Sequence, residues 1–453
     1  MSIFKACDIR GIYNKDLLNS HAEKLGQVLS HLQGGTDVIV GGDARVSTFT
    51  LKQNLIKGLL DGGCKVVDLG LVSTPMFYFA RHILGIKTGV MVTASHNPPD
   101  YNGFKLILGD LPITEAEIET IRVLMDRDTN IAQKTGKLEN KNILQSYLDF
   151  GVNYIENLSD LSVVVDYGNG LGALAGPALW NNSQCRYLTM YETIDGSFPD
   201  RSPNPSIAKN IESLRKAVIN HRADMGIAYD GDADRVSFID NTGIVISNDV
   251  IIALFVKHVL QSGPGTIVFD QKCSRIVPEI ILSSGGNPVM EKSGHTFIKT
   301  TFIKTQAEYA GELSGHHFFR SFPQGDDGLF ASLLMAGYIA KSGLNFSDLI
   351  NAIPRYPITP DIRISANSEQ AEKIIKNLAE AFKDHAQLNF MDGIKVDLHN
   401  GWGLARSSVT EPLITLRFEG DDEAALKDII HRFAQAVPEI SKKLLSYIDR
   451  KGD

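Results

Sequence analysis

Residues 229–235 read Tyr-Asp-Gly-Asp-Ala-Asp-Arg, which sets carboxylates at alternate positions Asp230, Asp232 and Asp234. Groups so closely spaced repel one another unless a cation lies among them, and hard oxygen ligands suit Mg²⁺ or Ca²⁺. An EF-hand loop requires glycine at its sixth position and a bidentate glutamate at its twelfth. Counted from Asp230, those places hold Arg235 and Asn241, and the flanks are strand-like. A solvated acidic turn is the competing reading. Gly231 within the triplet and Arg235 directly after it favour a tight loop holding Mg²⁺ beside an anion, because Mg²⁺ commonly keeps positions for substrate phosphate.

Other loops carry complementary chemistry. Gly311-Glu312-Leu313-Ser314-Gly315-His316 offers a carboxylate, a hydroxyl and an imidazole beside two glycines that admit a ligand close to the backbone. Glu312 and Ser314 suit paired sugar hydroxyls, and His316 taken alone would more often be structural. Lys292-Ser293-Gly294-His295 adds a second imidazole at a strand end, as general acid–base work requires. Arg406-Ser407-Ser408-Val409-Thr410-Glu411-Pro412 puts a guanidinium among hydroxyls in a loop between strands, a pattern that suits phosphate. Thr93-Ala94-Ser95-His96-Asn97-Pro98 leaves an apolar run by a turn, and on its own reads as surface punctuation.

Val163–Ala173 supports a rival reading. Gly168, Gly170 and Ala173 fit G-x-G-x-x-A after a strand, and Glu192 follows where a ribose-binding acid would lie. This points to an NAD-dependent oxidoreductase, but it leaves the aspartate triplet and both histidine loops without a role.

The positioning elements repeat. Three β-rich runs end in an acid and a polar loop: Asp37–Ser47, Leu161–Gly170 and Gly265–Arg275. Each is followed by an amphipathic segment, then a second short strand starting at Lys65, Arg186 or Asn287. A third strand, in Thr88–Pro98, Ala223–Arg235 or Ala307–His316, then leads into one of the loops above. Strands alternating with helices imply parallel sheets whose ligands gather beyond the carboxyl ends of the strands. The expected fold is three related α/β domains with mixed, mostly parallel sheets around a central cleft, at 1–148, 149–250 and 251–357. A smaller α+β domain follows at 358–453, with strands at Ile362–Ile364, Ile394–Leu398 and Leu413–Phe418.

The net charge of -8 disfavours nucleic acid, whose phosphates attract basic faces. Cys7, Cys64, Cys185 and Cys273 lie far apart, which suits reduced thiols rather than disulfides or zinc. The longest apolar run, Val250–Val256, is seven residues, against the about 20 needed to span a bilayer. A cytoplasmic protein without a membrane or nucleic-acid partner is expected.

Taken in order, FKACDIRGIY, GGDAR, TASHNP, YNGFK, DGSFPD, DGDADR, KSGH, GELSGH and RSSVTEP resemble the α-D-phosphohexomutase superfamily over essentially the whole chain. Within it they are most similar to the bacterial phosphomannomutase/phosphoglucomutase group. The resemblance implies a heart-shaped set of four domains and an exchange of phosphate between the 1- and 6-positions of a hexose. The mannose and glucose phosphates are the expected substrates, with a sugar 1,6-bisphosphate as intermediate and activator, and the enzyme as a monomer or weak homodimer. It implies that Ser95 is the phosphoserine and that Asp230, Asp232 and Asp234 hold Mg²⁺ with an oxygen of Ser95. It places Arg10, Lys105 and Arg235 around the reacting phosphate, and His295 and His316 in substrate contact and proton transfer. Glu312 and Ser314 grip the sugar, and Arg406, Ser408 and Thr410 clamp the distal phosphate. Three positions depart from the family pattern: Val409 in the phosphate loop, Cys7 in place of an aromatic residue, and Leu313 where this group often has methionine. A phosphoglucosamine mutase is the alternative within the superfamily, disfavoured at Leu313 and in the phosphate loop.

Overall fold

The computed structural model describes residues 3–127, 135–407 and 413–449, which form four sheets in chain order. The first contains β1 (Ile9–Ile12), β2 (Asp37–Gly42), β3 (Lys65–Leu71), β4 (Thr88–Val92), β5 (Tyr101–Leu108) and β6 (Lys137–Asn140), ordered β1-β5-β4-β2-β3-β6. The second contains β7 (Ser162–Asp166), β8 (Arg186–Met190), β9 (Met225–Tyr229) and β10 (Val236–Asp240), ordered β10-β9-β7-β8. β11 (Thr266–Asp270), β12 (Asn287–Glu291), β13 (Tyr309–Gly311), β14 (His317–Phe319) and β15 (Phe322–Asp326) make the third, ordered β12-β11-β13-β14-β15. The fourth holds β16 (Ile362–Ser365), β17 (Gln387–Asn389), β18 (Ile394–Leu398), β19 (Gly401–Ser407) and β20 (Leu413–Gly420), ordered β16-β20-β19-β18-β17 and antiparallel throughout.

The repeat read from the sequence is a shared parallel triplet. β3-β2-β4, β8-β7-β9 and β12-β11-β13 have the same order, with the first strand of each unit in the middle. Each third strand then turns back into an antiparallel neighbour, β5, β10 or β14. The reversal puts the three loops of chemical interest at the carboxyl ends of β4, β9 and β13, where open α/β sheets place ligands.

The central strands are buried on both faces, which is why Val38-Ile39-Val40, Val163-Val164-Val165 and Ile267-Val268-Phe269 are continuous apolar runs. One cluster joins Ile39 and Met91 of the first sheet to Val165, Ile227 and Phe238 of the second and to Ile267, Tyr309 and Phe319 of the third. The first three units therefore share a core. The Val250–Val256 run lies inside it, on helix Asn248–Val259, which is buried from Asp249 to Val256. No helix among the described residues is long and apolar enough to cross a membrane. The fourth unit has its own core, around Ile364, Leu378, Val396, Leu416 and Phe433.

One element differs from expectation. Arg406 belongs to β19, not to a loop, and β19 pairs with both β18 and β20. Gly401-Trp402-Gly403-Leu404-Ala405 lacks β-branched residues, so its propensity is weak. The strand forms because Gly403 lets Phe433 pack against its backbone, 2.5 Å from where a Cβ would stand.

A buried acid ties the third unit to helix Leu144–Val152, at the boundary of the first two. Asp327 caps helix Gly328–Ser342 by accepting from Phe330 N at 2.9 Å, and Tyr147 Oη donates to it at 2.6 Å. Burial pushes its pKa up to about 7, although both hydrogen bonds favour the carboxylate. The native state thus holds a proton that the unfolded chain releases near pH ~4, so stability falls as pH rises from there toward about 7. Asp327→Asn keeps the cap without the charge. It is expected to stabilise the protein by about 1–3 kcal/mol at pH 8 and by little at pH 5. Thermal denaturation across that range checks this; a difference independent of pH would mean that Asp327 is already ionised in the fold.

Candidate active site

Ser95 follows β4 with a φ of 50°, in the left-handed region that costs a non-glycine residue energy. The conformation is held from several sides. Ser95 N donates to Thr93 Oγ1 at 2.9 Å. The Arg45 guanidinium donates to the carbonyls of Ser95 (2.7 Å), Asn97 (2.6 Å), Pro98 (2.5 Å) and Tyr101 (3.0 Å). Arg45 is itself buried, paired with Asp43 at 3.2 Å and covered by the Phe198 ring of the second unit. So fixed, Ser95 Oγ donates to Asp230 Oδ2 at 2.7 Å, across the junction of the first two units.

The aspartate loop meets it with its own left-handed residue, Ala233 at φ 63°. Gly231 permits the approach: a Cβ there would stand 2.7 Å from the Ser95 carbonyl oxygen. Asp230, Asp232 and Asp234 are fully buried, and their oxygens lie within 4.8 Å of one another. Asp232 Oδ2 accepts from Thr74 Oγ1 at 2.6 Å and Lys105 Nζ at 2.9 Å, and Lys105 also pairs with Asp234. Asp232 Oδ1 and Asp234 Oδ1 are buried without a hydrogen-bond partner. Three converging carboxylates, two of them with an orphaned oxygen, fit a hard divalent cation. Burial and the other two carboxylates hold Asp230 well above the usual carboxylate range. Asp234 goes the other way: burial opposes ionisation, but Lys105 and His316 hold it well below that range.

Arg235 N donates to Asp230 Oδ1 at 3.2 Å, and its Nε lies 3.2 Å from His316 Nε2. His316 is buried. Its Nδ1 is 2.9 Å from Glu312 Oε2 and 2.7 Å from Ser314 Oγ, and its Nε2 is 3.6 Å from Asp234 and 3.5 Å from Asp326. Burial and Arg235 favour the neutral ring, but Asp234 and Glu312 outweigh them and raise its pKa to about 9. Against the cost of burial, His316 in turn holds the Glu312 carboxyl well below its usual range. His295, the first residue of helix His295–Thr305, stacks on His316 with ring centres 5.2 Å apart. Burial, His316 and Lys105 push it well below the ordinary imidazole value. One imidazole favours its proton and its neighbour favours none. Arg10, on β1, bonds Asn97 of the serine turn and pairs with Asp8 at 2.5 Å.

Ser95, Arg10, Lys105, Arg235, His295 and His316 line one cavity of about 730 Å³. A second cavity, of about 300 Å³, is lined by Glu312, Lys272 and Arg406 and shares His295 with the first. Arg406 pairs with Asp392 at 2.7 Å. Ser408, Val409 and Thr410 lie outside the described residues. All four cysteines are unpaired; Cys7 lines the second cavity, and burial raises its thiol to about 11. The glycine turn of the rival reading is filled from within. A Cβ at Gly168 would meet the Arg201 guanidinium at 2.4 Å, one at Gly170 would meet Gly231 O at 2.9 Å, and Arg201 pairs with Asp166 at 2.9 Å.

Comparison with known proteins gives the same picture over nearly the whole length. Four domain descriptions match in order: phosphoglucomutase/phosphomannomutase alpha/beta/alpha domain I over residues 1–132, domain II over 144–243, domain III over 247–356, and the C-terminal domain over 364–436. A phosphomannomutase/phosphoglucomutase from Pseudomonas putida is 39% identical over 435 residues, covering 94% of each chain. The chain belongs to the phosphoglucomutase/phosphomannomutase family. A phosphoglucomutase from Neisseria gonorrhoeae is 36% identical over 96% of each chain. A family protein from Burkholderia thailandensis superposes with a TM-score of 0.88 at 34% identity, over 96% of each chain.

Several residues of this family member's site carry no local sequence signal. Thr74 and Asp326 reach the centre from outside every motif of the sequence, and Arg45, the last residue of GGDAR, has no role that its own stretch reveals. Lys272, in the second cavity, is paired with Asp361 at 3.2 Å. Only a strand-end position marked it, since β11 ends at Asp270.

Millimolar Mg²⁺ is expected to raise the melting temperature of the wild-type chain, because a ligand of the native state stabilises it by mass action. Asp232→Asn, which removes one of the three charges, should abolish most of that shift. A shift of equal size in the variant would place the cation elsewhere.

Proposed function

We propose that the protein interconverts hexose 1-phosphates and hexose 6-phosphates of mannose and glucose, with Ser95 as the carrier of the transferred phosphoryl group. The observation that carries the reading is the Ser95 Oγ–Asp230 contact of 2.7 Å, made by a strained serine at the edge of a buried carboxylate triplet. The names of the relatives, phosphomannomutase/phosphoglucomutase and phosphoglucomutase, support the substrate class. They favour it over the phosphoglucosamine alternative. N-acetylphosphoglucosamine mutases are similar in fold alone, at 14% identity or less in the structures from Aspergillus fumigatus.

In the forward half-reaction a sugar hydroxyl oxygen bonds to the phosphorus on Ser95 and the phosphorus–Oγ bond breaks. Oγ keeps the electron pair, and the hydroxyl proton passes to the imidazole pair. The second half runs the same exchange in reverse from the other end of the bisphosphorylated sugar. Asp230, Asp232 and Asp234, with Ser95, would hold Mg²⁺, which when bound neutralises charge on the phosphoryl oxygens. Lys105, Arg235 and Arg10 supply fixed positive charge at the same end of the cleft. Glu312 and Ser314 orient the sugar ring. Arg406 and Lys272 hold the phosphate that does not react, and an Arg fork suits either end of the sugar equally.

Ser95→Ala should lose turnover with both mannose 1-phosphate and glucose 1-phosphate while keeping the wild-type melting profile. A coupled assay on the two substrates measures it, and full activity in the variant would reject the carrier. Arg406→Ala should weaken sugar phosphate binding by about 2–5 kcal/mol, the usual cost of removing one partner of a buried charge pair, and should show mainly in KM. An unchanged KM would remove Arg406 from the clamp.

A further inference from the structure

A single reacting serine must serve both ends of the sugar, so the bisphosphorylated intermediate has to present one end and then the other. While it turns, neither phosphate rests at the Ser95 end or at the Arg406 end, and the molecule is most exposed to loss. The two cavities share Lys5, Asp8, His295, Arg363 and Leu413, which therefore stand where one opens into the other. We propose that Arg363, together with Lys5, is an intermediate anion station that retains the bisphosphate during this turn. The inference rests on the mutase reading above.

The placement of Arg363 follows from its strand. Ile362 and Ile364 pack on the core of the fourth unit, so alternation sends Asp361, Arg363 and Ser365 to the opposite, cleft-lining face. In the sheet register Arg363 lies opposite Thr415, and Thr415 opposite Arg406. Two arginines thus share one face with a single strand between them, about 10 Å apart at the backbone. A phosphate leaving Arg406 meets Arg363 before it reaches the first cavity. Two acids line the same junction, Asp8, paired with Arg10 at 2.5 Å, and Asp361, paired with Lys272 at 3.2 Å. Asp16, in the first cavity, accepts from Ile12 N at 3.2 Å. Arg363 is exposed, so removing its charge leaves the core untouched.

The test uses the full-length enzyme with Mg²⁺ and labelled glucose 1,6-bisphosphate formed in the cleft. It reads the fraction of turnovers that release label to solution and the amount of added bisphosphate needed for half-maximal rate. Arg363→Gln is expected to raise both by about tenfold, with rate recovered by excess bisphosphate, and Arg363→Lys to fall between it and wild type. Wild-type values in a folded Arg363→Gln would overturn the proposal. So would a rise confined to the KM of the monophosphate, since that marks ground-state binding alone. Failure of the underlying reading is seen separately, as absence of label on Ser95 in the wild-type enzyme.

Discussion

Four carboxylates, those of Asp230, Asp232, Asp234 and Asp326, are wholly buried near one another where three units meet. Like charges in so poor a dielectric repel strongly, and each buried ion carries a desolvation cost that only partners can offset. Those partners come from different parts of the chain. Lys105 comes from β5, Thr74 from the helix after β3, Arg235 from the aspartate loop itself and His316 from the loop after β13. Apart from Arg235, none is present until sheets from different units have packed together, so the shared apolar core and the charged centre depend on each other. The opposed shifts of Asp230, upward, and Asp234, downward, express the same imbalance.

Around that centre the molecule has two functional ends of different construction. At the end proposed to carry the phosphoryl group, Arg45 holds the serine turn through main-chain carbonyls, and the aspartate loop abuts it with only Gly231 as clearance. The distal end belongs partly to the fourth unit, whose core is separate and which is joined by polar contacts to residues 249–275. Arg417 pairs with Asp249 at 2.9 Å and donates to Lys272 O, and Arg275 pairs with Glu419 at 3.6 Å. A preorganised end suits electrostatic stabilisation of moving charge. An end held by polar contacts suits repeated capture and release of phosphate.

Much of this was legible in the chain because the relevant signals are local. The parallel triplets show as apolar runs ended by acids, since strands buried on both faces need uninterrupted apolar residues. The aspartate triplet, the glycine-bounded Glu312–His316 loop and the serine turn each concentrate their chemistry within a few residues. What escaped was set by distance along the chain. Arg45 ends the GGDAR stretch, but it acts on residues about 50 positions away, so its role does not show locally. Asp326 is unremarkable until β15 brings it against His316. β19 has weak propensity and is made a strand by β18, β20 and Phe433, so Arg406 read as a loop residue. The Gly168–Ala173 turn shows the converse: its spacing fits a dinucleotide site, but the space it frames holds Arg201.

The claim at the centre is that one divalent cation is held jointly by the aspartate loop and by the serine of a different unit. The most direct measurement is a crystal structure with Mn²⁺ in place of Mg²⁺, located by its anomalous signal. A single ion bound by Asp230, Asp232 and Asp234, with Ser95 Oγ or its phosphate completing the set, is the predicted result. An ion bound to the aspartates with Ser95 turned away from it, or bound elsewhere in the cleft, would contradict the account.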